Sequence, residues 1–579
     1  MAVQYRTNNC GELRESHVGQ KVRLAGWVET IRDHGGVLFI DLRDQYGVTQ
    51  IVLNDEALLE NVSKEAVVSV LGLVTLRDAE TINDKIPTGK IELRASEIDL
   101  LGPCKNQLPF DVTTSRDTRE DVRLKYRYLD LRNPKVASNI LLRSKLISYL
   151  RSQMDALGFT EVQTPILTCS SPEGARDYLV PSRKHHGKFY ALPQAPQQFK
   201  QLLMCSGFDR YYQIAPCFRD EDARADRSPG EFYQLDFEMS FADQEDVLKV
   251  AEKVLYNTFS KFTDKYVSPA PFKRITYTES MLKYGTDKPD LRNPLEICDL
   301  TEFFSNVEFA AFKNRPVRGI VANCAGRSKS FFENLLNYAL SIGMKGLGYI
   351  TIAEDMTLKG PIVKFLSEEK QAELISMLNL QVGHTLFFIC DSKNIVDKLA
   401  GQIRTELGEK LDIIDKNRFE MCFIVDFPMF ELNEEEGKID FTHNPFSMPQ
   451  GEMDALLNKD PLEILAYQYD IVCNGVELSS GAVRNHRPDI MEKAFEIAGY
   501  TRDVLETKFS ALYNAFHYGA PPHAGMAPGI DRILMLITEQ ENIREVIAYP
   551  MNQNAQDLML GSPSEVTEQQ LREVHIKIR

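Results

Sequence analysis

The sequence predicts a multidomain α+β protein that begins with a small β domain, and three observations support this fold class. The chain has 579 residues, the length of roughly three to five domains. Short β-rich runs separated by turn residues fill the first 103 residues. Helical and strand patterns alternate through the rest, and residues 290–425 carry strands and helices of their own.

The N-terminal domain, residues 1–103, contains five predicted strands. These strands are Lys21–Val28, Gly36–Asp41, Val48–Leu53, Val67–Leu76 and Gly89–Ile98. Together with a helix candidate at Glu56–Ser63, they are typical of an OB-type barrel. A β-sandwich is the alternative that the pattern leaves open.

The rest of the chain divides into four further segments. Residues 104–139 have the prolines and the charged stretch of a linker. Residues 140–289 begin with the helical periodicity of Ile140–Leu157 and form the first part of an α/β domain. Residues 290–425 are an inserted α+β domain, and residues 426–579 complete the interrupted domain and add a C-terminal extension. The insertion has predicted strands at Val317–Ala322 and Thr385–Cys390 and predicted helices at Lys329–Ile342 and Lys393–Leu407.

The composition is that of a soluble globular protein, with 43% hydrophobic and 26% charged residues. No apolar run approaches the roughly 20 residues of a membrane span. The segment Met1–Cys10 lacks the features of a secretory signal, and none of the ten cysteines forms a CxxC pair, so we expect a cytoplasmic protein with reduced thiols. The net charge of −16 is unfavourable for a nucleic-acid partner. It is a sum over the whole chain, however, and nucleic-acid binding needs only a local basic face.

Three blocks carry the chemistry. In the first, Gly158–Leu167, a helix stop precedes a strand and Pro165, which an ordinary edge strand also explains. In the second, Arg219 ends an apolar strand and faces a charged loop, where its guanidinium fork suits a phosphate. A solvated hairpin is the alternative, but Gln234, Asp236 and Glu238 then share one strand face, which favours a ligand over a core.

The third block, Gly525–Leu536, places glycines and Arg532 at a helix start. Glycine lets a ligand approach closely, and a helix N-terminus offers free N–H groups to anions. A core helix that begins with glycine explains this block by itself equally well.

In order and content, the three blocks resemble the signature motifs of the class II aminoacyl-tRNA synthetases. Leu124–Arg132 is similar to the entry segment of the subclass of aspartyl, asparaginyl and lysyl enzymes. Ser171–Tyr178 resembles the mobile loop that closes over aspartate, and Gln194–Lys200 and Val425–Phe430 resemble bacterial aspartyl members. The insertion lies where those members carry an extra, GAD-like domain. The resemblance covers essentially the whole chain and implies an OB-fold anticodon-binding domain and a catalytic domain built on an antiparallel sheet.

The resemblance also implies a reaction and its site residues. L-aspartate is activated with ATP to an adenylate, pyrophosphate leaves, and aspartate passes to the 3′ end of tRNA-Asp. The implied aspartate-binding residues are Glu173, Gln197, Lys200, Arg219, Asp236, His443 and Arg484. In this pocket Arg484 and Lys200 pair the side-chain carboxylate, so that a neutral substrate would leave buried cations unpaired at a cost of about 2 to 5 kcal/mol.

For the nucleotide, Arg219 and Arg532 are the implied catalytic residues, and adenine stacks between Phe232 and Arg532. The implied ATP-binding residues are Arg219, Asp220, Glu221, Phe232, Glu477, Gly529, Ile530, Asp531 and Arg532. Asp470 and Glu477 bind Mg²⁺, because hard cations take carboxylate oxygens. The step needs positioning and charge neutralisation more than a general base.

The implied nucleic-acid partner is bound by the N-terminal barrel. Phe39 stacks an anticodon base, and the residues that contact base edges are Arg32, Gln50 and Glu92. His34 resembles the non-discriminating members that also charge tRNA-Asn, whereas Glu80 replaces the glycine usual in them, so the sequence leaves tRNA-Asn open as a second acceptor. The resemblance also implies a homodimer, because the helix and strand Ile140–Leu167 form the dimer interface in the family.

Three departures from the family pattern and two alternatives accompany the resemblance. The departures are Pro528 in place of an aromatic residue, Asn444 where a second histidine is common, and a longer loop around Ser228, and none removes a charged group that the chemistry needs. The alternative enzyme is an asparaginyl or lysyl ligase of the same subclass. The alternative without activity is a degenerate paralogue that only binds RNA, although such paralogues usually lose the motif arginines or the anticodon domain.

Overall fold

A computed structural model of the chain describes residues 4–35, 37–170, 175–433 and 437–578. The chain forms two compact units, Met1–Ser138 and Asn139–Arg579. Of the helices in the described ranges, none has the length and apolar character needed to cross a membrane.

The first unit contains a closed five-stranded barrel. Its strands are β1 (Lys21–Asp33), β2 (Leu38–Asp44), β3 (Gly47–Leu53), β4 (Val67–Leu76) and β5 (Ile91–Gly102). Around the barrel the order is β1-β2-β3-β5-β4, and β1 pairs with β4 to close it. The prediction of an OB-type barrel is therefore confirmed over the sandwich. Gly36, the predicted start of the second strand, lies outside the described residues.

Side-chain alternation fills the barrel. Ile40 and Leu42 of β2 point to a core that also holds Leu24 and Val28 of β1. The helix predicted at Glu56–Ser63 is wrong in length, because only the single 3-10 turn Glu56–Leu59 forms. Asn61 has a φ of 63°, a left-handed conformation that a right-handed helix does not contain.

The segment predicted as a linker is ordered around a buried carboxylate. It forms the short helices α1 (Glu120–Lys125) and α2 (Arg127–Asp130). Asp130 is fully buried and accepts hydrogen bonds from Arg123 Nη2 at 3.1 Å, Arg127 Nη1 at 2.5 Å and Ser115 Oγ at 2.6 Å. Because a buried charge is costly unless it is paired and hydrogen-bonded, these contacts give the segment a defined structure.

The second unit contains the remaining elements. Its strands are β6 (Thr160–Glu161), β7 (Leu179–Pro181), β8 (Phe189–Ala191), β9 (Arg210–Arg219), β10 (Gly230–Ser240), β11 (Tyr266–Val267), β12 (Lys273–Thr276), β13 (Ile297–Asp299), β14 (Val317–Asn323), β15 (Gly348–Ile352), β16 (Leu358–Lys359), β17 (His384–Cys390), β18 (Arg418–Phe419), β19 (Met421–Pro428), β20 (Phe430–Asn433), β21 (Lys438–Phe441), β22 (Leu465–Cys473), β23 (Val476–Val483) and β24 (His523–Met526). Its helices are α3 (Pro134–Ala156, which begins at the end of the first unit), α4 (Gln197–Cys205), α5 (Gln244–Phe262), α6 (Tyr277–Tyr284), α7 (Thr301–Ser305), α8 (Lys329–Ser341), α9 (Glu368–Met377), α10 (Val396–Leu411), α11 (Glu452–Asn458), α12 (Pro488–Ile497), α13 (Arg502–Lys508), α14 (Ser510–Phe516), α15 (Ile530–Ile537) and α16 (Glu568–Glu573).

An eight-stranded sheet, in the order β12-β19-β22-β23-β24-β10-β9-β6, is the framework of this unit. The six central strands pair antiparallel, as predicted, whereas the edge strands β12 and β6 pair parallel to their neighbours, so the sheet is mixed. Strands from both sides of the predicted insertion build this one sheet. β19 begins at Met421, four residues before the predicted end of the insertion at residue 425.

Two helices cover one face of this sheet with apolar side chains. Leu146 and Leu150 of α3 and Leu255 of α5 share a hydrophobic core with Phe237 of β10. The other face of β10 is thereby left to polar residues.

The insertion forms a second sheet, in the order β13-β14-β17-β15-β16. Ile320 of β14 and Phe387 of β17 pack against Leu335 of α8 and Ile403 of α10. The observed elements match the predicted strands and helices to within four residues at each end.

Candidate active site

Two carboxylates on β10 form the centre of the site. Leu235, Phe237 and Met239 of this strand belong to the hydrophobic core. Side chains alternate across a strand, so Asp236 and Glu238 point to the opposite face, where both are completely buried. The polar face predicted from the sequence is therefore present.

Each carboxylate is paired with a buried cation from another element. Lys200 Nζ of α4 lies 2.7 Å from Asp236 Oδ1 and 3.6 Å from Glu238 Oε2. Arg484, just after β23, donates from Nε and Nη2 to the two oxygens of Glu238, at 2.8 and 3.1 Å. The structure thus brings the predicted Lys200, Asp236 and Arg484 together. It adds Glu238, which only the strand alternation had indicated.

The ion pairs oppose the effect of burial on the pKa of both carboxylates. Burial raises the pKa of Asp236, and Lys200 only partly offsets this. Burial would also raise the pKa of Glu238, but Arg484 and Lys200 outweigh it and hold that pKa below its usual value. Two cations and two carboxylates sum to no net charge, so the site can accept a ligand with charges of both signs.

His523 and Gly525 of β24 support this cluster. The ring of His523 lies 3.2 Å from Gln201 Oε1 through Nε2 and 2.8 Å from the Pro521 carbonyl through Nδ1. Burial lowers the pKa of His523 to about 4, so the ring is neutral. A Cβ on Gly525 would come 2.1 Å from Glu238 Oε2, and only glycine lets the carboxylate sit there. Neither role follows from the sequence.

Two polar atoms at the ends of α4 and β9 are buried without a partner. Arg219 Nε and Gln197 Nε2 have no hydrogen bond to any described residue. The guanidinium of Arg219 lies over the ring of Phe232, 5.0 Å from its centre. Because buried donors are nearly always satisfied, both atoms are candidates for ligand contacts.

The backbone of the third block, Gly525–Leu536, forms hydrogen bonds with the strand β10 of the second block. Gly529 pairs with Gln234, and Pro528 O accepts from Leu235 N at 2.8 Å. Arg532, in the first turn of α15, donates from Nη1 to Glu477 O at 2.7 Å. The predicted nucleotide residues Arg532, Glu477, Phe232 and Arg219 thus come from strands and a helix that meet at one end of the sheet.

The remaining predicted nucleotide residues are placed differently. Asp531 is buried, pairs with Arg143 of α3 and accepts from Tyr233 N at 2.9 Å, so its carboxylate ties α15 to the rest of the unit. Ile530 is a buried core residue. Asp220 is exposed, and Glu221 pairs with Arg227 at 2.8 Å.

Asp470 and Glu477 lie on the adjacent strands β22 and β23. Burial raises the pKa of Asp470, and the charge of Glu477 raises it further. Within the described ranges, no group of three or more His, Cys, Asp or Glu residues is arranged as a metal site. A pair of carboxylates that repel each other nevertheless fits Mg²⁺, which proteins typically hold through one or two carboxylates plus substrate phosphates.

His443 lies close to this carboxylate pair. Its ring packs edge-on against Phe427 at 5.2 Å, and its charged neighbours are Asp287, Lys288 and Glu477. Glu173, predicted to hold the ammonium group of the amino acid, lies outside the described residues.

In the first unit, the four predicted anticodon residues share the outer face of the barrel. Arg32 Nη2 lies 2.8 Å from Asp41 Oδ1 and 3.5 Å from Gln50 Oε1, and Gln50 Nε2 donates to Glu92 at 3.2 Å. Phe39 is half-buried on the same face.

Three further side chains surround this network. The ring of His34 meets Phe39 edge-on at 5.6 Å. Glu80 is exposed on the 3-10 turn Ala79–Thr81. Arg77, which the sequence did not single out, has Glu92, Asp41 and Arg32 as its charged neighbours.

Two family descriptions match these two regions. Residues 119–553 match the model of class II tRNA synthetases (D, K and N). Residues 22–101 match the model of the tRNA anticodon family, described as an OB-fold nucleic acid binding domain.

Similar proteins align over nearly the full chain. An "Aspartate--tRNA(Asp/Asn) ligase" of Rickettsia bellii is 56% identical over 590 residues, covering 99% of this chain and 98% of that protein. An "Aspartate--tRNA ligase" of Streptomyces coelicolor is 56% identical over 581 residues, covering 100% and 99%. Among solved structures, a putative aspartyl-tRNA synthetase from Leishmania major has a TM-score of 0.59 at 20% identity, covering 95% of this chain and 94% of that one. That likeness shows a shared fold.

Proposed function

This chain belongs to the class II tRNA synthetases of the D, K and N group, and we propose that it is an aspartate–tRNA ligase. It uses ATP to convert L-aspartate into aspartyl-adenylate and pyrophosphate, and then transfers aspartate to the 3′ end of tRNA-Asp. The observation that carries the proposal is the buried cluster of Lys200, Asp236, Glu238 and Arg484. Relatives at 56% identity are named for the same reaction.

Charge complementarity in this cluster selects aspartate. Glu238 occupies Nε and Nη2 of Arg484, which leaves Nη1 for the side-chain carboxylate of the substrate. Lys200 adds positive charge at the same end, and Asp236 and Gln197 receive the ammonium group. Asparagine or lysine would place no negative charge against Arg484 Nη1 and Lys200, a penalty of about 2 to 5 kcal/mol.

The aspartate α-carboxylate attacks the α-phosphate of ATP in line, and pyrophosphate leaves. Arg219 bridges the two reacting groups, an assignment supported by its unpartnered buried Nε. Phe232 and Arg532 hold the adenine ring, and the hydrogen bond from Arg532 Nη1 to Glu477 O supports this role by fixing the guanidinium. Asp470 and Glu477 would hold Mg²⁺, which would supply positive charge to the phosphates. Positioning and charge neutralisation lower the barrier, so no general base is needed.

The decisive test is ATP–pyrophosphate exchange with aspartate, asparagine and lysine offered separately. We expect exchange with aspartate alone, and exchange with asparagine or lysine instead would overturn the substrate assignment. Arg484→Leu should then raise the KM for aspartate steeply and leave the KM for ATP nearly unchanged. A folding control is needed, because this change leaves Glu238 buried with only Lys200 as its partner.

Charging of tRNA-Asn is the second candidate activity. The observation that favours it is His34, exposed beside Phe39 on the face proposed for the anticodon. Glu80, where non-discriminating members usually have glycine, points to tRNA-Asp alone. Aminoacylation of purified tRNA-Asp and tRNA-Asn side by side decides between the two.

A further inference from the structure

A lysine with no role in the proposed reaction lies against the carboxylate pair. Lys288 Nζ is 3.2 Å from Glu477 Oε2 and 2.6 Å from Asp287 Oδ2. Lys288 belongs to the segment that follows α6 and leads into the insertion. No sequence motif singles it out.

The insertion holds the backbone of this segment in place. Arg404 of α10 is buried and donates from Nη2 to the carbonyls of Asp290 and Asn293, at 2.9 and 2.8 Å. Asn293 Nδ2 donates back to Arg404 O at 3.0 Å. A Cβ on Gly401 of α10 would come 2.6 Å from Gly285 O, so helix and segment are in close backbone contact. The position of Lys288 is therefore set by a helix of the inserted domain.

Glu477 lies between two cations. Lys288 contacts one of its oxygens, and Arg532 Nη1 lies 3.5 Å from the other. Burial would raise the pKa of Glu477, but Lys288 and Arg532 outweigh it and lower that pKa. Side chains thus place positive charge against both oxygens of Glu477.

We propose that Lys288 is a positioning residue of the ATP site, whose ammonium neutralises Glu477 while no metal–nucleotide complex is bound and competes with a divalent cation for that carboxylate. The inserted domain then acts on the catalytic site by fixing this lysine. The inference rests on the proposed function, which assigns Asp470 and Glu477 to Mg²⁺.

Lys288→Met removes the charge and keeps most of the side-chain length. Its test is the affinity of the ATP-free protein for Mn²⁺, titrated by electron paramagnetic resonance. We expect the Kd for Mn²⁺ to fall about tenfold, equivalent to about 1.4 kcal/mol, because the competing ammonium is gone. Lys288→Arg keeps the charge and should bind Mn²⁺ like the wild type. Adding Glu477→Gln to Lys288→Met should abolish the gain.

Lys283→Met is the matched control. The Lys283 side chain is 41% exposed, against 38% for Lys288, and pairs with Glu279 at 2.9 Å on α6. This variant loses the same charge nearby, and its Kd for Mn²⁺ should stay at the wild-type value. If Lys288→Met and Lys283→Met gain equal affinity for Mn²⁺, the effect comes from net charge alone and the inference is overturned.

An unchanged Kd for Mn²⁺ in Lys288→Met also overturns it. If the KM for ATP rises while that Kd is unchanged, Lys288 is a phosphate ligand instead. The exchange assay on the wild type distinguishes the two proposals. If the wild type shows no aspartate-dependent exchange, the proposed function is rejected, whereas the Mn²⁺ titration tests only the role of Lys288.

Discussion

Phe39→Ala should weaken tRNA charging and leave adenylate formation intact. Phe39 lies on the barrel face opposite the core residue Ile40, and its aromatic neighbour is the exposed His34. The change therefore removes no side chain of the barrel core. Stacking of one base on an aromatic ring contributes about 1 to 3 kcal/mol by alanine substitution, so kcat/KM for aminoacylation should fall about 5- to 150-fold.

The assay is a pair of measurements on the same preparation, aminoacylation of tRNA-Asp and aspartate-dependent exchange without tRNA. Exchange should equal that of the wild type. Tyr46→Ala is a matched control, since Tyr46 is an exposed aromatic residue of the same barrel, stacked under Arg6 on the turn between β2 and β3. A parallel fall of both activities would mean that Phe39 supports the fold, and unchanged aminoacylation would refute the stacking role.

Three further predictions concern activation, assembly and pH. Arg219→Ala should abolish exchange, and a variant that keeps more than about a tenth of wild-type exchange, a loss under about 1.4 kcal/mol, would contradict the bridging role. The helix α3 and the strand after it, Ile140–Leu167, form the proposed dimer interface, so sedimentation at micromolar concentration should give a dimer mass. Burial lowers the pKa of His523 from 6.5 to about 4, so between pH 6.5 and about 4 the unfolded chain binds one more proton than the folded chain. The free energy of unfolding should therefore fall as the pH falls through this window, by up to about 3 kcal/mol. Denaturant titrations across this window should show a smaller fall in His523→Gln.

Local patterns in the sequence were sufficient for much of the fold. Short β-rich runs between turn residues identified the barrel strands. Period-two alternation identified the polar face of β10, because burial on one side of a strand dictates its side chains. Patterns of this kind do not fix element ends. Asn61, with its left-handed φ, follows the short turn Glu56–Leu59 and lies within the segment predicted as a helix. The helix α3 begins at Pro134, six residues before its predicted start, since proline suits the first helical turn.

The sequence by itself singled out charged residues of the candidate site, since Lys200, Asp236 and Arg219 belong to motifs with a family resemblance and that resemblance implies Arg484. Only the tertiary structure decided which charges pair. Glu238 meets Arg484 from 246 residues away, Asp531 is used to hold α3, and Lys288 reaches Glu477 because a helix of the insertion supports its segment. The physical reason is that ion pairing depends on separations of a few ångströms in space, which the sheet order sets and which neighbours along the chain do not encode.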